Sequence, residues 1–385
     1  MNNHFWKAAL CAAMVPFALA GCGGGDDGGA QTGTLHVAMT DAPSCGFDHV
    51  YVTVSQVRVN ANTNASDNDA GWSTITLATP RKLDLLSLTN GVLADIGQTA
   101  LPAGQYQQIR LVLAPNQGNS LANSVVPTGG TEQALATPSA TQSGYKIIQP
   151  FTVQANTLVD LVLDFNACKS IVQRGNGTYA LKPVVTAIPT VVSGAISGYV
   201  APAEAGATVY AEQGGKVVRG TVADSTGKFV LSPLIQSSTQ GNYDVVIVQN
   251  NFASGIVRTV PVVVNTTTAV SASNAPITLP ASTMSSVSGT VTASADALVR
   301  ALQTVDARAY EITSINANMD TGAYALNVPT AAPIVGTYSG SLPVALAASP
   351  AAAAQYTIEA DAASGATQST NVNATTSQSN VNFSF

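Results

Sequence analysis

Ile196-Ser197-Gly198-Tyr199-Val200 and Val287-Ser288-Gly289-Thr290-Val291 are two versions of one strand in the same chain. Each is followed by a turn, Asp224-Ser225-Thr226-Gly227 in the first copy and Asp320-Thr321-Gly322 in the second. An apolar run comes next, Phe229-Val230-Leu231 or Tyr324-Ala325-Leu326. Each copy closes on a Tyr-led strand, Tyr243-Asp244-Val245-Val246-Ile247 or Tyr356-Thr357-Ile358-Glu359-Ala360. The spacing from strand glycine to turn glycine is 29 residues in one copy and 33 in the other. Alternating apolar positions punctuated by such turns describe short half-buried strands, and their recurrence describes an internal repeat. The Asp-Thr-Gly turns read as tight hairpins. Residues 194–280 and 285–385 are therefore each expected to fold as a β-sandwich. Val200, Val209, Phe229, Leu231 and Val245 should be core, and Lys228 exposed. The second copy is degraded, with an Ala/Pro-rich insertion near 330–354. The junctions Pro189 to Gly194 and Pro280 to Ser285 continue no periodic pattern.

Upstream, residues 34–189 read as a further β-sandwich. Leu35, Val37 and Met39 alternate with polar or small neighbours, as do Val50, Val52 and Val54. Val57 and Val59 pick up the opposite parity. Ile109, Leu111 and Leu113 alternate likewise, and so do Val159, Leu161, Leu163 and Phe165. Leu83, Leu85, Leu86, Leu88, Val92, Leu93 and Ile96 partly fit helical spacing, so one short helix is expected there. The fold class is mainly β: tandem antiparallel β-sandwich domains with that one helix.

Composition sets limits on function. The chain has 385 residues, a net charge of −6 and a sequence pI of about 4.9. Charged residues make up 9%, against about 25% in an average soluble protein. This excludes a basic nucleic-acid footprint. A hydrophobic content of 46% excludes disorder of the whole chain. No apolar run is long enough for a transmembrane helix.

Residues 1–21 read as a secretory signal: Lys7, then an apolar stretch from Ala8 to Ala20. It ends in Leu19-Ala20-Gly21-Cys22, which resembles the lipobox of bacterial lipoproteins. The resemblance implies cleavage before Cys22, lipidation of that cysteine and a partner in the membrane. Position 23 is Gly rather than Asp, which by the same resemblance implies the outer membrane of the cell envelope. Which face the protein occupies stays open. Residues 22–33 form the lipidated cysteine and a Gly/Asp-rich tether whose r.m.s. reach is roughly 18 Å. Of four cysteines, Cys11 leaves with the signal and Cys22 is lipidated, so Cys45 and Cys168 remain. In an oxidising compartment they are expected to pair; two buried free thiols are the alternative.

The segments Thr40-Asp41-Ala42-Pro43, Trp72, Leu83-Asp84-Leu85-Leu86 and Leu101-Pro102-Ala103-Gly104-Gln105-Tyr106 occur in an order that resembles the family called domain of unknown function 4382. The resemblance covers about 155 residues and implies a bacterial envelope lipoprotein, but no chemistry. From the residues alone, Thr40-Asp41-Ala42-Pro43 reads as a strand end closed by an Asx-turn. The repeats resemble carboxypeptidase-regulatory-like domains, small prealbumin-type sandwiches, which implies spacer or docking modules.

Few residues suggest chemistry. Asp67-Asn68-Asp69-Ala70-Gly71 is oxygen-rich but departs from a calcium loop, with no closing Glu, and reads as a polar loop. Asp160 and Asp164 share a strand face about 13 Å apart and read as solvent-facing. Asp41 and Asp48 are the acids a polysaccharide hydrolase would call on. Trp72, beside the 61–71 loop, is the residue a carbohydrate-binding module would use. No nucleophile elbow, metalloprotease motif, Walker loop or Cys-x-x-Cys is present. No catalytic, cofactor or metal residue is assigned. The expected protein is a lipid-anchored, rod-like envelope protein that binds or scaffolds without catalysis, its ligand a glycan or an envelope protein and not a nucleic acid. A carbohydrate-binding lipoprotein and an envelope polysaccharide hydrolase are the alternatives.

Overall fold

The computed structural model describes residues 31–41, 46–118, 120–236, 241–293 and 296–385. The signal segment, Cys22, most of the tether and Cys45 lie outside these. The N-terminal domain contains β1 (Thr32–Asp41), β2 (Phe47–Asn60), β3 (Ser73–Asp84), β4 (Ala94–Pro102), β5 (Gly104–Leu113) and β6 (Ser124–Pro127). It continues with β7 (Gln133–Ala136), β8 (Tyr145–Val153), β9 (Leu158–Phe165), β10 (Ile171–Gln173), β11 (Tyr179–Leu181) and β12 (Val185–Pro189). A 4-stranded sheet, β12-β9-β1-β4, faces an 8-stranded one running β10-β11-β7-β6-β2-β5-β8, with β3 paired to β2.

Alternating residues of both sheets meet between them. Leu35, Val37, Met39, Val52, Val54, Ile109 and Leu111 are all fully buried. The parity change between Val54 and Val57 is a register shift between Val54 and Gln56 against both β3 and β5. One extra residue in a strand turns the following side chains to the other face. The leucine-rich segment forms a single 3-10 turn, Leu85–Leu88, with Asp84 accepting the Leu86 N–H. Val92, Leu93 and Ile96 leave it for β4 and its approach. The α-helix is instead α1, Ala167–Ser170, capped by Asn166, whose side chain accepts the Lys169 N–H.

The repeats carry matching strands. In the first, β13 (Ser193–Tyr199), β14 (Thr208–Gln213), β15 (Lys216–Val222), β16 (Lys228–Ile235), β17 (Tyr243–Val248), β18 (Gly255–Val260) and β19 (Thr267–Ala269) form the sheets β16-β13-β19 and β15-β14-β17-β18. In the second, β20 (Met284–Thr292), β21 (Leu298–Val305), β22 (Arg308–Asn316) and β23 (Ala323–Pro329) come first. An inserted pair follows, β24 (Ile334–Thr337) and β25 (Ala347–Ala348), then β26 (Gln355–Asp361), β27 (Thr367–Asn373) and β28 (Phe383–Ser384). Their sheets are β23-β20-β28 and β22-β21-β26-β27, the same order strand for strand. Val200, Val209, Phe229, Leu231 and Val245 are fully buried and Lys228 is exposed.

Four expectations are corrected. The Asp-Thr-Gly turns are not hairpins: each links strands in opposite sheets, β15 to β16 and β22 to β23. The sheets are not purely antiparallel, because β1 pairs β9, β13 pairs β19 and β20 pairs β28 in parallel. The insertion near 330–354 does not stay within the second repeat's own sandwich. It sends β24 to pair in parallel with β18, so the second repeat supplies two strands to the first repeat's sheet. The arrangement is also not a rod. The N-terminal domain contacts both repeats, and Val246 and Ile256 of the first repeat belong to the second repeat's core. Among the described residues no helix is long and apolar enough to cross a membrane.

Candidate functional site

The three domains meet around a cleft of about 780 Å³. The N-terminal domain contributes the start of β2 and the β10–β11 hairpin, with Phe47, Gln173 and Tyr179. The first repeat contributes β14 through Thr208 and Tyr210, and the segment after β17. The second contributes β22 and β23, with Tyr324 and Asn327 among the lining residues. No Asp, Glu, Lys, Arg or His lines it among the described residues.

The aromatic walls are held in place. Phe47 and Tyr179 meet edge to face at 5.6 Å and 78°. Tyr324 stacks on Phe383 at 6.4 Å, and its hydroxyl donates to the Val381 carbonyl. Burial pushes the Tyr324 phenol up to about 12 and that of Tyr210 higher still, so both remain neutral. Asn316 fixes one wall by donating to the carbonyls of Lys169 (2.9 Å) and Ile171 (3.2 Å). The exposed side-chain amides of Gln173, Asn250 and Asn327 make no hydrogen bond among the described residues. The cleft therefore offers ring faces with amide donors and acceptors, a combination suited to a neutral, hydroxyl-rich ligand.

A buried ionic network braces the cleft from behind. Glu311 pairs with Lys169 of α1 at 3.0 Å and with Arg300 at 3.3 Å. Arg300 also pairs with Asp361 at 3.0 Å and with Glu359. The Glu311 N–H donates to the Glu212 carboxylate of the first repeat at 3.1 Å. Burial, and then the Glu311 charge, push the Glu212 carboxyl well above the usual range. Lys169, Glu212 and Glu311 thus tie all three domains together.

The residues singled out from sequence fall elsewhere. Trp72 is not an open platform. The Arg58 and Arg110 guanidiniums lie 4.5 and 5.5 Å from its ring, and its indole N–H donates to the Ser66 carbonyl. In the 61–71 loop Asp67 pairs with Arg110 at 2.7 Å and Asp69 accepts the Ser66 N–H. Asp41 is buried and accepts the Ala167 N–H at 3.0 Å, capping α1, while Asp48 is exposed and accepts the Gly129 N–H. The structure does not bring these two into one cleft. The Asx-turn expected after Asp41 lies outside the described residues. Asp160 pairs with His36 at 2.7 Å, and His36 reaches Asp95 at 3.0 Å on its other side. Asp164 is a correction: it is not solvent-facing but buried, because the first repeat covers that face with Arg219. The sequence reading missed Phe47, Tyr179, Tyr210 and Tyr324, whose only local signal is an aromatic side chain in a strand.

Cys168 lines the cleft, and so does Gly46, the residue after Cys45. β1 and β9 run in parallel with Asp41 beside Phe165. Cys45 and Cys168 therefore lie four and three residues beyond one register pair.

The family described as a domain of unknown function, DUF4382, matches residues 32–183, the span of the N-terminal domain up to the approach to β12. No curated protein matches. Among solved structures, a cohesin–X-dockerin complex of Acetivibrio cellulolyticus is similar at 27% identity over 23% of this chain, with a TM-score of 0.19. This chain spans 58% of that one. A streptococcal ancillary pilin is 7% identical, covering 92% of this chain and 99% of its own, with a TM-score of 0.17. Two B repeat units of the Staphylococcus aureus collagen-binding protein are 10% identical over 89% of this chain and 99% of their own, with a TM-score of 0.18.

Proposed function

We propose that the chain is a lipid-anchored cell-envelope binding protein whose ligand, a neutral glycan, occupies the cleft between the three domains. The observation that carries this reading is the lining: ring faces and unengaged amides, with no Asp, Glu, Lys, Arg or His among the described residues. Sugars are bound by stacking their apolar faces on aromatic rings and by bidentate hydrogen bonds from amides. Among the described residues the lining holds no carboxylate pair of the kind glycoside hydrolysis uses, which favours binding over cleavage. Leu19-Ala20-Gly21-Cys22 supports the anchor, and Gly23 supports outer-membrane residence. The parallel exit of β1 and β9 supports a Cys45–Cys168 disulfide that would fix the cleft's edge. Non-reducing mass mapping that finds two free thiols would remove that part.

A glycan array probed with the mature chain carrying Cys22→Ala tests the ligand. Retention of an uncharged oligosaccharide is expected, weakened about tenfold or more by Tyr179→Ala or Asn327→Ala. Absence of any neutral glycan ligand, or binding indifferent to both substitutions, would overturn the assignment. Flotation with vesicles tests the anchor: the full chain should float and its Cys22→Ala variant should not.

A further inference from the structure

Four large apolar side chains stand exposed around the point where the chain enters β1: Leu158 (54%), Val191 (61%), Val192 (39%) and Val263 (47%). Their placement follows from register. Thr34 of β1 pairs with Leu158, and the Asn156 N–H donates to the Thr32 carbonyl. Pro189 pairs with Leu161, and the Thr190 hydroxyl donates to the Asp160 carbonyl. This lays the 3-10 turn Thr190–Val192 along the start of β9. Gly194 backs directly onto the Val263 carbonyl. The rim therefore draws on the N-terminal domain and the first repeat and surrounds the site from which the tether departs.

We propose that this rim is the face that rests on the lipid bilayer, turning the cleft away from it. The proposal builds on the reading that Cys22 is lipid-modified. Only residues 23–31 separate that cysteine from β1, so the rim is held within roughly 20 Å of the headgroups. At that effective concentration a small apolar surface engages the interface without needing affinity of its own. Bulky aliphatic side chains left in water at a tether's root gain by entering the headgroup–acyl boundary. The cleft lies beyond the opposite end of β1, where Asp41 caps α1 and Cys168 reaches the lining. Ten residues of strand, about 33 Å, separate the two.

Val191→Trp and Val263→Trp in the full chain, bound to phosphatidylethanolamine–phosphatidylglycerol vesicles whose acyl chains carry bromine near the headgroup, read the contact. Leu93→Trp is the control: Leu93 is 48% exposed beside Ala94, which pairs with Met39 at the far end of β1. After subtraction of native Trp72 emission, bromine should quench the two rim tryptophans about twofold and leave Leu93→Trp unchanged. Equal quenching at both ends, or none at either, would overturn the proposal. So would a dimer in solution dissolved by Val191→Asp, which would give the rim to a second copy. If the full chain fails to float, the anchor reading fails by itself. The mature chain coupled through Cys22 to a maleimide lipid then reproduces the tether, and the same quenching comparison decides.

Discussion

Arg219 of β15 and Asp164 of β9 form a 2.6 Å ion pair whose side chains are 2% and 7% exposed, joining two domains. Arg219 also donates to the Thr40 hydroxyl at 2.8 Å, and that hydroxyl donates to the Leu88 carbonyl. Burial raises the Asp164 carboxyl, and the Arg219 guanidinium pulls it back. Removing one member strands the other in a dry seam. Arg219→Ala should therefore cost about 3–5 kcal/mol. The double variant Arg219→Met with Asp164→Leu should recover most of that loss. Equilibrium urea unfolding measures both, and a single variant as stable as the double would show that the pair is hydrated and weak.

Glu212 gives the stability a pH dependence of known sign. Glu311, Asp244, Lys169 and the Tyr210 phenol face it electrostatically, with Arg300 behind Glu311. Its folded carboxyl is raised above the ordinary value of 4.5. A raised carboxyl contributes stability that is complete below the unfolded pKa and lost as pH rises through the folded one. As pH rises above the ordinary carboxyl range the native chain should lose denaturant resistance. Glu212→Gln keeps an acceptor for the Glu311 N–H and should flatten that slope. Parallel slopes for the two proteins would exclude Glu212 as the source.

The turn glycines of the two repeats do the same work at equivalent positions. Gly227 has φ +81° and Gly322 has φ +67°, and a Cβ at either would overlap the carbonyl oxygen of Val200 or Val291. The same strand residues donate back, Val200 N–H to the Gly227 carbonyl and Val291 N–H to the Gly322 carbonyl, both at 2.9 Å. Only a residue without Cβ fits both the left-handed backbone and the contact. Gly227→Ala and Gly322→Ala should each cost more than about 1 kcal/mol. Calorimetry would read the loss, and an unchanged melting temperature in either would contradict this account.

Much of the fold is legible because alternation is a local signal. Leu35, Val37 and Met39 reveal their buried face without reference to any other strand, and the parity switch at Val57 marks a bulge. The domain seams are not legible in this way. Asp164, Glu212, Arg300 and Glu311 sit where alternation expects solvent, and they become buried only because another domain covers them. Pairing of β1 with β9 joins residues 124 apart, as in His36 with Asp160, and nothing near either strand announces it. The cleft is illegible for the same reason: Phe47, Tyr179, Tyr210 and Tyr324 converge from three domains. Ile334 and Val344 were the available hint that the Ala/Pro-rich insertion is structural, since a solvated loop has no use for buried aliphatics.

That insertion makes the repeats interdependent. β24 pairs with β18 from Gly255–Ile334 to Arg258–Thr337, and β25 closes the sheet's edge against β24. Ile334 and Val344 belong to the first repeat's core, with Tyr338 and Leu346 packed on it. At Gly336 a Cβ would overlap the Ala345 carbonyl oxygen and press on Leu346, so Gly336→Val should force the two sides of this hairpin apart. The cost should be about 1–3 kcal/mol, and it should fall on the first repeat although the substitution lies in the second. Hydrogen exchange should accelerate in β18 and β24 while β21 and β26, in the second repeat's own sheet, keep their protection. If protection is lost equally in β21 and β26, the insertion serves its own repeat and the strands it supplies to the first are incidental.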